Sequence, residues 1–497
     1  MFKKILIANR GEIALRIART CRELGIKTVA IYSDLDLQAP YVHFCDEAFN
    51  IPGKSSLDTY LRSDKIIELC KNSGAQAVHP GYGFLAENSE FASNLTKNGI
   101  TFIGPPAKAI KLMGNKTAAR KLMIEAGVPV VPGSESAINS KEEALKIAKE
   151  LGYPILVKAA AGGGGKGMRL VKEKKDLDSS IESAQREAGA AFGDSDIYIE
   201  KYLVEPRHIE FQIIADAAGN TIHLGERECS IQRRHQKIIE EAPSVLLDPK
   251  MRIEMGDTAI KAAQACGYEN AGTVEFLVDK NKKYYFLEMN TRLQVEHPVT
   301  ELVTGLDIVK EQLLIASKQG MTLRKNVEIF WGHAIECRIY AENPDNNFAP
   351  SPGTIHHIAP PSGPGIREDS GVVTGNEITL YYDPMISKLI SWAPSRNEAI
   401  NRMVRALGEY ELQGIHSTIP FLIRVLQHKR FITGNFTTDF IAEEKSLFKM
   451  NEEKGKIAAF AAAIYFEQEK SKKIFQSKAE IQTSNWKNIK KGTAYRK

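Results

Sequence analysis

The sequence has few of the features that mark a disulfide-rich, zinc-ribbon or membrane protein. Its six cysteines lie far apart and form no Cys-x-x-Cys pair, which disfavours a zinc ribbon or a disulfide framework and predicts reduced thiols. The longest apolar run, Ile457 to Phe466, has ten residues, whereas a bilayer-spanning helix needs about 20. The run Ile5 to Ala8 is too short for the apolar core of a signal peptide. We therefore expect a cytoplasmic protein without a membrane anchor.

Motifs of two common nucleotide-binding folds are also missing. No GxGxxG follows the first predicted strand, and no GxxxxGK[ST] is present. The sequence therefore gives no support to a dinucleotide-binding fold or to a P-loop fold.

Acidic residues are scarce at the C-terminal end. Residues 470–497 carry eight Lys and one Arg against Glu480 alone, although the net charge of the whole chain is only +5. A Lys-rich tail is compatible with nucleic-acid binding, but no aromatic ladder or binding motif accompanies it. We expect a solvated or partner-facing tail and no nucleic-acid partner.

A chain of 497 residues, 43% apolar and 26% charged, is too long for one simple core and predicts three or more packed units. Strand Lys4 to Ala8, a turn at Gly11, an amphipathic helix and strand Thr28 to Ser33 form a βαβ opening. The alternation of strands and helices continues to Ile103. This pattern predicts a parallel α/β sheet.

The pattern then changes twice. A helix predicted over Met113 to Gly127 precedes a compact unit with helix Lys141 to Leu151 and strand Ile155 to Lys158. Because this unit is inserted within a larger domain, we interpret it as a hinged lid. After Trp331, short strands broken by Pro and Gly, with two helices, predict a separate α+β unit. Residues 447–497 are predicted to be helical and then basic.

The segment from Phe286 to Pro298 carries the strongest chemical signal. Glu288, Asn290 and Arg292 are spaced two residues apart on a predicted β-like run, so their side chains would emerge on one face. Carboxylate and amide oxygens are ligands for Mg²⁺, and a planar guanidinium suits a small oxyanion such as a carboxylate or carbonate. The spacing predicts a metal and an anion at one site.

Glu275 is predicted to lie across a hairpin from Glu288. The arms of the hairpin are Val274 to Leu277 and Tyr284 to Asn290. Strand pairing would bring the two carboxylates close enough to share Mg²⁺ between ATP phosphates. For Glu275, a solvated strand edge beside two neighbouring lysines is the alternative.

Four consecutive glycines, Gly162 to Gly165, lie between Lys158 and Lys166. Glycine lets backbone N–H groups converge on phosphate oxygens without obstruction by Cβ atoms. The loop is therefore predicted to cover a polyphosphate, with a flexible linker as the alternative.

A second cationic segment lies within Glu228 to Lys237, with its positive charges between Gln232 and Lys237. Its charge indicates contacts with an anionic substrate or product. A basic surface patch is an equally open interpretation.

Five separated motifs together resemble the biotin carboxylase family of the ATP-grasp superfamily. They are Asn9 to Ala14, His79 to Asn88, Gly162 to Gly167, Gln232 to Lys237 and Glu288 to Thr300. The resemblance implies an architecture of α/β and α+β domains. These are a Rossmann-like N-terminal (pre-ATP-grasp) domain at 1–113, an ATP-grasp domain at 114–330 with a mobile lid at about 131–204, a C-terminal α+β domain at 331–446 and a helical and basic extension at 447–497.

The resemblance also implies roles for individual residues. ATP would be bound by Lys116, Lys158, Gly163, Gly164, Gly165, Glu200, Lys201, Leu203, His208, Gln232 and His235. Mg²⁺ or Mn²⁺ would be held by Glu275, Glu288 and Asn290. Bicarbonate would be bound by Arg292, Gln294 and the backbone N–H of Val295. The catalytic groups would be Glu296 as the base, Lys237, Arg292 and Arg338, and biotin would meet Arg338 and Tyr82.

The reaction implied by the resemblance is the ATP-dependent carboxylation of biotin through carboxyphosphate, carried out by a homodimer. Biotin would be attached to a separate carrier protein, because no Ala-Met-Lys-Met segment is found in this chain. A carboxyltransferase subunit would complete a pyruvate, acetyl-CoA or other acyl-CoA carboxylase. The alternatives from other functional classes are another ATP-grasp ligase and a non-catalytic nucleotide-binding subunit.

Overall fold

The computed structural model describes residues 1–134, 137–138, 140–159, 168–193, 195–323, 325–327, 329–448 and 460–468. The chain divides into two compact units, Met1–Leu447 and Phe448–Lys497. In the second unit, residues 460–468 are helical and exposed. Within the described ranges, no helix is both long and apolar enough to cross a membrane.

A sheet with helices opens the first unit. Its elements are β1 (Lys4–Ile7), α1 (Gly11–Glu23), β2 (Lys27–Tyr32), α2 (Pro40–Phe44), β3 (Glu47–Asn50), α3 (Ser63–Ser73), β4 (Ala77–His79), α4 (Ser89–Lys97) and β5 (Thr101–Phe102). The strands pair in parallel in the order β3-β2-β1-β4-β5. Strands covered on both faces are rich in apolar residues, and Ile5 to Ala8 are fully buried. The predicted parallel α/β sheet is confirmed.

Two helices, α5 (Ala107–Gly114) and α6 (Lys116–Glu125), follow the sheet. The prediction of one helix over Met113 to Gly127 is wrong, because Asn115 has an extended backbone between them. Its side chain accepts a hydrogen bond from the Ala118 N–H, and Asn is favoured at this capping position. The break places Lys116 at the start of α6.

The predicted lid forms a small sheet with its own core. Its elements are α7 (Lys141–Leu151), β6 (Ile155–Ala159), β7 (Arg169–Val171), α8 (Leu177–Phe192) and β8 (Ile197–Lys201). The strands are antiparallel in the order β7-β6-β8. Ala144 and Ala148 of α7 pack with Ile155, Val157 and Ile199 in a buried cluster. The glycine loop between β6 and β7 lies outside the described residues.

An eight-stranded sheet forms the centre of the first unit. Its first elements and neighbouring helices are β9 (Arg207–Ala215), β10 (Thr221–Arg233), β11 (Gln236–Ala242), α9 (Pro249–Ala265), β12 (Asn270–Val278), β13 (Tyr284–Asn290), α10 (His297–Thr304), α11 (Ile308–Ala316) and β14 (His333–Tyr340). Strands β10 and β11 contain the cationic segment Gln232 to Lys237 and join through a tight turn. Arg234 and His235 at this turn have left-handed backbones, with φ of 50° and 67°.

The segment after Trp331 joins the same sheet. Its elements after β14 are β15 (Glu342–Asn343), β16 (Ala349–Pro350), β17 (Gly353–Thr354), β18 (His357–Ala359), β19 (Ile366–Ser370), β20 (Glu377–Ile378), β21 (Met385–Ala393), α12 (Arg396–Glu409), β22 (Glu411–Gln413), α13 (Ile419–Gln427), α14 (Lys429–Ile432) and α15 (Phe440–Glu443). The complete order is β13-β12-β9-β10-β11-β14-β21-β19. One face of β14 and β21 packs on α12 and α13 through a large apolar core. On the other face, Ala334 and Ile390 pack on α10, and β14 carries Glu336, Arg338 and Tyr340.

A buried ion cluster connects this sheet to α12. Glu241 of β11 accepts hydrogen bonds from Arg396 Nε at 2.6 Å and Nη2 at 3.1 Å, and His333 Nε2 lies 2.7 Å from the same carboxylate. Although burial opposes ionisation, Arg396 and His333 lower the pKa of Glu241 to about 2. The ionised carboxylate therefore holds β11, β14 and α12 together.

We predict that Glu241→Gln lowers the free energy of unfolding by roughly 3 kcal/mol at pH 7. Because the folded-state pKa of about 2 lies below the ordinary value of 4.5, this contribution is present above pH 4.5 and is lost as the pH falls towards 2. Chemical denaturation at pH 7 and pH 3 measures both effects. The control is Glu409→Gln at an exposed ion pair. A difference between variant and wild type that is the same at both pH values would contradict the prediction.

Candidate active site

The acidic hairpin predicted from the sequence is present. Strands β12 and β13 pair antiparallel, with Glu275 directly opposite Glu288 and Thr273 opposite Asn290. The side chains of Glu275 and Asn290 are in contact, since Asn290 Nδ2 donates to Glu275 Oε1 at 2.7 Å. The three polar residues predicted to bind metal therefore lie at one end of one hairpin.

The predicted β-like run is wrong beyond Asn290. Residues 291–296 form a loop, and α10 begins at His297 with Pro298 in its first turn. Proline is tolerated there because the first N–H groups of a helix have no intrahelical partner. Arg292 therefore reaches the site from a loop rather than from the face of a strand.

Lys237 lies among three carboxylates. Its Nζ atom is 2.5 Å from Glu210 Oε2, 2.8 Å from Glu275 Oε1 and 2.7 Å from Glu296 Oε1. The lysine side chain is 12% exposed and the Glu210 and Glu296 side chains have no exposed surface. Burial opposes its charge, but the three carboxylates raise the pKa of Lys237 well above its ordinary value. The ammonium ion is therefore retained.

Glu296 contacts two cations with its two oxygens. Oε1 accepts from Lys237, and Oε2 accepts from Arg338 Nη2 at 2.9 Å. Although burial opposes ionisation, Lys237, Arg338 and Arg227 hold the pKa of Glu296 well below its ordinary value. The residue predicted as the base is therefore a carboxylate, the form that can accept a proton.

Arg338 emerges from β14 on the polar face of the large sheet. Its neighbours on that face are Glu336 and Tyr340, as the alternation of a strand requires. Arg338 Nε also donates to Glu240 Oε1 at 2.7 Å. Burial raises the pKa of Glu240 to about 7, an effect that Arg338 partly opposes. The guanidinium is thus fixed between Glu240 and Glu296.

Arg292 is fixed by contacts from both sides of its loop. Its Nε donates to Glu87 Oε2 at 3.0 Å, and its Nη1 donates to Gln294 Oε1 at 2.9 Å. The carbonyl of Val295 accepts from Lys388 Nζ at 2.7 Å, which fixes the loop behind it. The three residues predicted to bind bicarbonate are therefore held in one loop next to the hairpin.

Within the part of the chain that the structure describes, the carboxylate of Glu288 lacks a partner that would balance its charge, and a cation would supply one. Its carboxylate forms no ion pair or hydrogen bond with another described residue. Burial together with Glu275 raises the pKa of Glu288. Two further groups could hold a metal ion, with ligand atoms within 4.8 Å of one another: His208, Glu210 and Glu275, and Glu210, Cys229 and Glu296. Both share Glu210, which already accepts from Lys237. A divalent ion between Glu275 and Glu288 would relieve their repulsion.

Lys158 and Glu200, two of the residues predicted to bind ATP, face each other across β6 and β8. Lys158 Nζ lies 2.6 Å from Glu200 Oε2, and Arg120 Nη1 lies 3.2 Å from Glu200 Oε1. Burial lowers the pKa of Lys116, while Glu288, Glu200 and Glu275 act in the opposite direction. Lys116 therefore lies in the field of both the acidic hairpin and the predicted lid.

The remaining residues predicted to bind the nucleotide differ in their contacts and burial. Lys201 Nζ donates to the carbonyl of Gly152 at 2.8 Å, and Leu203 is half-buried beyond β8. His208 Nδ1 lies 2.8 Å from Gln232 Nε2, and His235 is at the turn between β10 and β11. Three predicted contacts lie outside the described residues: Gly163, Gly164 and Gly165.

A cavity of about 810 Å³ adjoins these groups. Arg292, Val295 and Arg338 lie in its wall, with Tyr82 and Glu12 from the first sheet. The Tyr82 hydroxyl donates to Glu12 Oε1. The cavity wall therefore includes Arg338 and Tyr82, the two residues predicted to meet biotin, and the predicted catalytic residue Arg292.

The sequence analysis missed three residues that hold the site together. Glu210 alternates with the apolar residues Ile209, Phe211 and Ile213 along β9, a period-two pattern that could have revealed it. Glu87 lies within the motif His79 to Asn88 but received no role. Glu240 has no local signal, because its contact with Arg338 spans 98 positions.

Three family models match the chain. Residues 1–110 match the N-terminal domain of biotin carboxylase, residues 115–326 match the ATP-binding domain of the carbamoyl-phosphate synthase L chain, and residues 336–443 match the C-terminal domain of biotin carboxylase. These matches cover most of the chain and support the expected three-part architecture with an ATP-grasp domain.

Curated relatives match over the same region. Biotin carboxylase 1 of Bacillus subtilis is 54% identical over 442 residues, which cover 89% of this chain and 98% of that protein. A pyruvate carboxylase subunit of Methanothermobacter thermautotrophicus is 54% identical over 443 residues, which cover 89% of this chain and 90% of that protein.

Solved structures have the same fold. The biotin carboxylase domain dimer of Hydrogenobacter thermophilus 2-oxoglutarate carboxylase, in complex with MgADP, ADP and bicarbonate, superposes with a TM-score of 0.88. It is 51% identical, and the match covers 90% of this chain and 99% of that one. A biotin carboxylase complex with β,γ-ATP from Campylobacter jejuni gives a TM-score of 0.86 at 49% identity, covering 89% of this chain and 99% of that one.

Arg120 leads to a prediction about the predicted lid. Its Nε donates to the Ser134 carbonyl at 3.0 Å and its Nη2 donates to the Val131 carbonyl at 2.6 Å, in addition to the pair with Glu200. We predict that Arg120→Met speeds amide exchange at Ser134 and Lys201, because buried donors and acceptors lose their partners.

Hydrogen exchange measured by mass spectrometry tests this. The control is Lys121→Met, which changes an exposed residue of the same helix. Unchanged exchange in the Arg120 variant would show that Arg120 does not hold the two segments together.

Proposed function

The chain belongs to the biotin carboxylase family, and we propose that it carboxylates biotin on a separate carrier protein, using MgATP and bicarbonate, through carboxyphosphate. It is an ATP-dependent ligase of this family. The observation that carries the proposal is the contact of Glu296 with both Lys237 and Arg338. One buried carboxylate thereby connects the acidic hairpin to the cavity next to Arg338.

The ligands of relatives support the choice of substrates. The Hydrogenobacter thermophilus domain binds MgADP and bicarbonate, and the Campylobacter jejuni enzyme is in complex with β,γ-ATP. In this chain, the proposed contacts of the phosphates and the adenosine are Lys116, Lys158, Glu200, Lys201, Leu203, His208, Gln232 and His235, with the backbone of Gly163, Gly164 and Gly165.

The metal contacts proposed in this chain are Glu275, Glu288 and Asn290. Two opposed carboxylates and an amide oxygen form the hard donor set that Mg²⁺ or Mn²⁺ takes. When bound, the ion would supply positive charge between the phosphates of ATP. The uncompensated carboxylate of Glu288 is the structural feature that fits it.

The bicarbonate step uses the loop before α10. Arg292, Gln294 and the N–H of Val295 position bicarbonate, and Glu296 takes its proton. The resulting carbonate oxygen attacks the γ-phosphorus as the bond to ADP breaks, which gives carboxyphosphate and ADP. Lys237 then has to move from the carboxylates towards the transferring phosphoryl group, where its charge stabilises the transition state.

The biotin step uses Arg338. Carboxyphosphate decomposes to CO₂ and phosphate, and the phosphate removes the proton from N1′ of biotin. Arg338 stabilises the negative charge on the ureido oxygen, and N1′ then forms a bond to the carbon of CO₂. Closure of the predicted lid would exclude water and protect carboxyphosphate until this happens. Tyr82 borders the biotin ring.

The proposed partners are supported by relatives that are subunits of larger carboxylases. A homodimer is proposed because the Hydrogenobacter thermophilus domain is a dimer. A biotin carrier and a carboxyltransferase subunit would complete the cycle, with pyruvate or a short acyl-CoA as the acceptor. We propose the cytoplasm as the site of action. Residues 447–497 form an extension that resembles the one in longer biotin carboxylase subunits of two-subunit pyruvate carboxylases, and we propose that it faces solvent or a partner.

Another ATP-grasp ligase would account for the metal-binding hairpin and Lys237. It would not account for Arg338, which lies in the wall of the cavity with Tyr82 and also contacts the proposed base. A non-catalytic nucleotide-binding subunit gives no reason for Glu296 to lie between two cations.

The overall assignment predicts bicarbonate-dependent release of ADP from MgATP that biotin stimulates. A coupled assay with and without free biotin measures this turnover. Turnover that is indifferent to biotin would indicate another ATP-grasp ligase. ATP binding without any turnover would favour the non-catalytic alternative.

The assignment of the base predicts that Glu296→Gln lowers bicarbonate-dependent ADP release by about 10²- to 10⁴-fold, because an amide cannot take the proton. Affinity for MgATP, measured by calorimetry, should remain within a few-fold of the wild type. Glu254→Gln on the exposed side of α9 is the control. Near-normal turnover in the Glu296 variant would remove Glu296 as the base.

A further inference from the structure

Exposed apolar side chains are concentrated at the opening of the cavity next to Arg338. Leu380 and Tyr381 line it and are 72% and 54% exposed. Three more exposed apolar residues adjoin lining residues in the chain: Leu37 (48%), Leu57 (72%) and Val373 (45%). We call these five residues the apolar rim.

The apolar rim combines loops that are far apart in sequence. Leu37 and Leu57 belong to the first sheet domain, whereas Val373, Leu380 and Tyr381 belong to the segment between β19 and β21. The Asn376 side chain donates to the carbonyl of Gln38 at 3.2 Å, which connects the two sets of loops. Single exposed apolar residues are common, but a group of them around one opening is typical of an interaction surface.

The inner wall of the cavity is charged, in contrast to the apolar rim. Arg292 and Arg338 are held there by carboxylates, and their planar groups suit a small polar head group. A polar ligand would therefore enter the cavity, while an apolar surface attached to it would remain on the rim.

The charges at the opening limit the kind of partner. The exposed charged residues of the cavity lining are Glu87, Glu377 and Asp383, all acidic. Acidic side chains repel the phosphates of a nucleic acid or of an anionic membrane. A protein domain with an apolar contact surface is the partner that fits.

We infer that the apolar rim is the docking surface for the biotin-bearing domain of the carrier. The inference rests on the proposed function, since a biotin attached to a protein needs a contact surface outside the cavity and free biotin does not. Leu37 and Leu57 do not line the cavity, so they contact the carrier domain without contacting biotin.

The test compares two substrates, free biotin and a purified carrier domain biotinylated on its lysine. The double variant Leu37→Ser/Leu57→Ser should raise the KM for the carrier domain about tenfold, because two apolar contacts at an interface are lost. Its kcat with the carrier domain and its turnover of free biotin should stay at wild-type values. The control is Ile253→Ser/Ile432→Ser, which changes two exposed apolar residues (49% and 44%) that neither line the cavity nor adjoin a lining residue in the chain.

The outcomes separate this inference from the proposed function. An equal loss with both substrates would show that the two leucines act on the fold, and an unchanged KM for the carrier domain would show that the rim is not the docking surface. Either result overturns the inference while biotin-dependent turnover still stands. A wild-type protein that turns over neither substrate would overturn the proposed function and the inference together.

Discussion

The ammonium group of Lys237 holds together a site that would otherwise be unstable. It contacts Glu210 of β9, Glu275 of β12 and Glu296 before α10, and Lys237 itself belongs to β11. Without a cation, three carboxylates at such distances would repel one another and would take up protons in a buried environment. Lys237 is the cation that all three carboxylates share, and it therefore links these three strands to the loop before α10. The same charge is available to a phosphoryl group that competes for it.

Arg338 extends this charge balance to the cavity. It shares Glu296 with Lys237 and is supported from behind by Glu240. Two cations on one carboxylate keep Glu296 ionised although it is fully buried. In the proposed reaction, a movement of Lys237 would change the charge balance around Arg338, because both cations hold the same carboxylate. The buried array is thus the physical link between the two half-sites, and the apolar rim lies at its outer boundary.

Much of the local structure followed from patterns in the sequence. The parallel sheet, the helix Lys141–Leu151 and the pairing of Glu275 with Glu288 were predicted correctly, since periodicity and turn residues are local properties. Two boundaries were wrong for identifiable reasons. Asn115 caps a new helix where one continuous helix was predicted. Strand β13 ends at Asn290, where the loop before α10 begins. In both places a backbone hydrogen-bonding preference overrode the side-chain pattern.

The sequence by itself determined the elements, the acidic hairpin and the family motifs, because each depends on residues close together in the chain. Only the tertiary structure decided which charges meet. Glu87 contacts Arg292 across 205 positions and Glu240 contacts Arg338 across 98, and neither carboxylate differs locally from a solvated one. Their partners are chosen by the pairing of strands and the packing of loops. At Glu240, which is fully buried, an unpaired charge would also be too costly to leave.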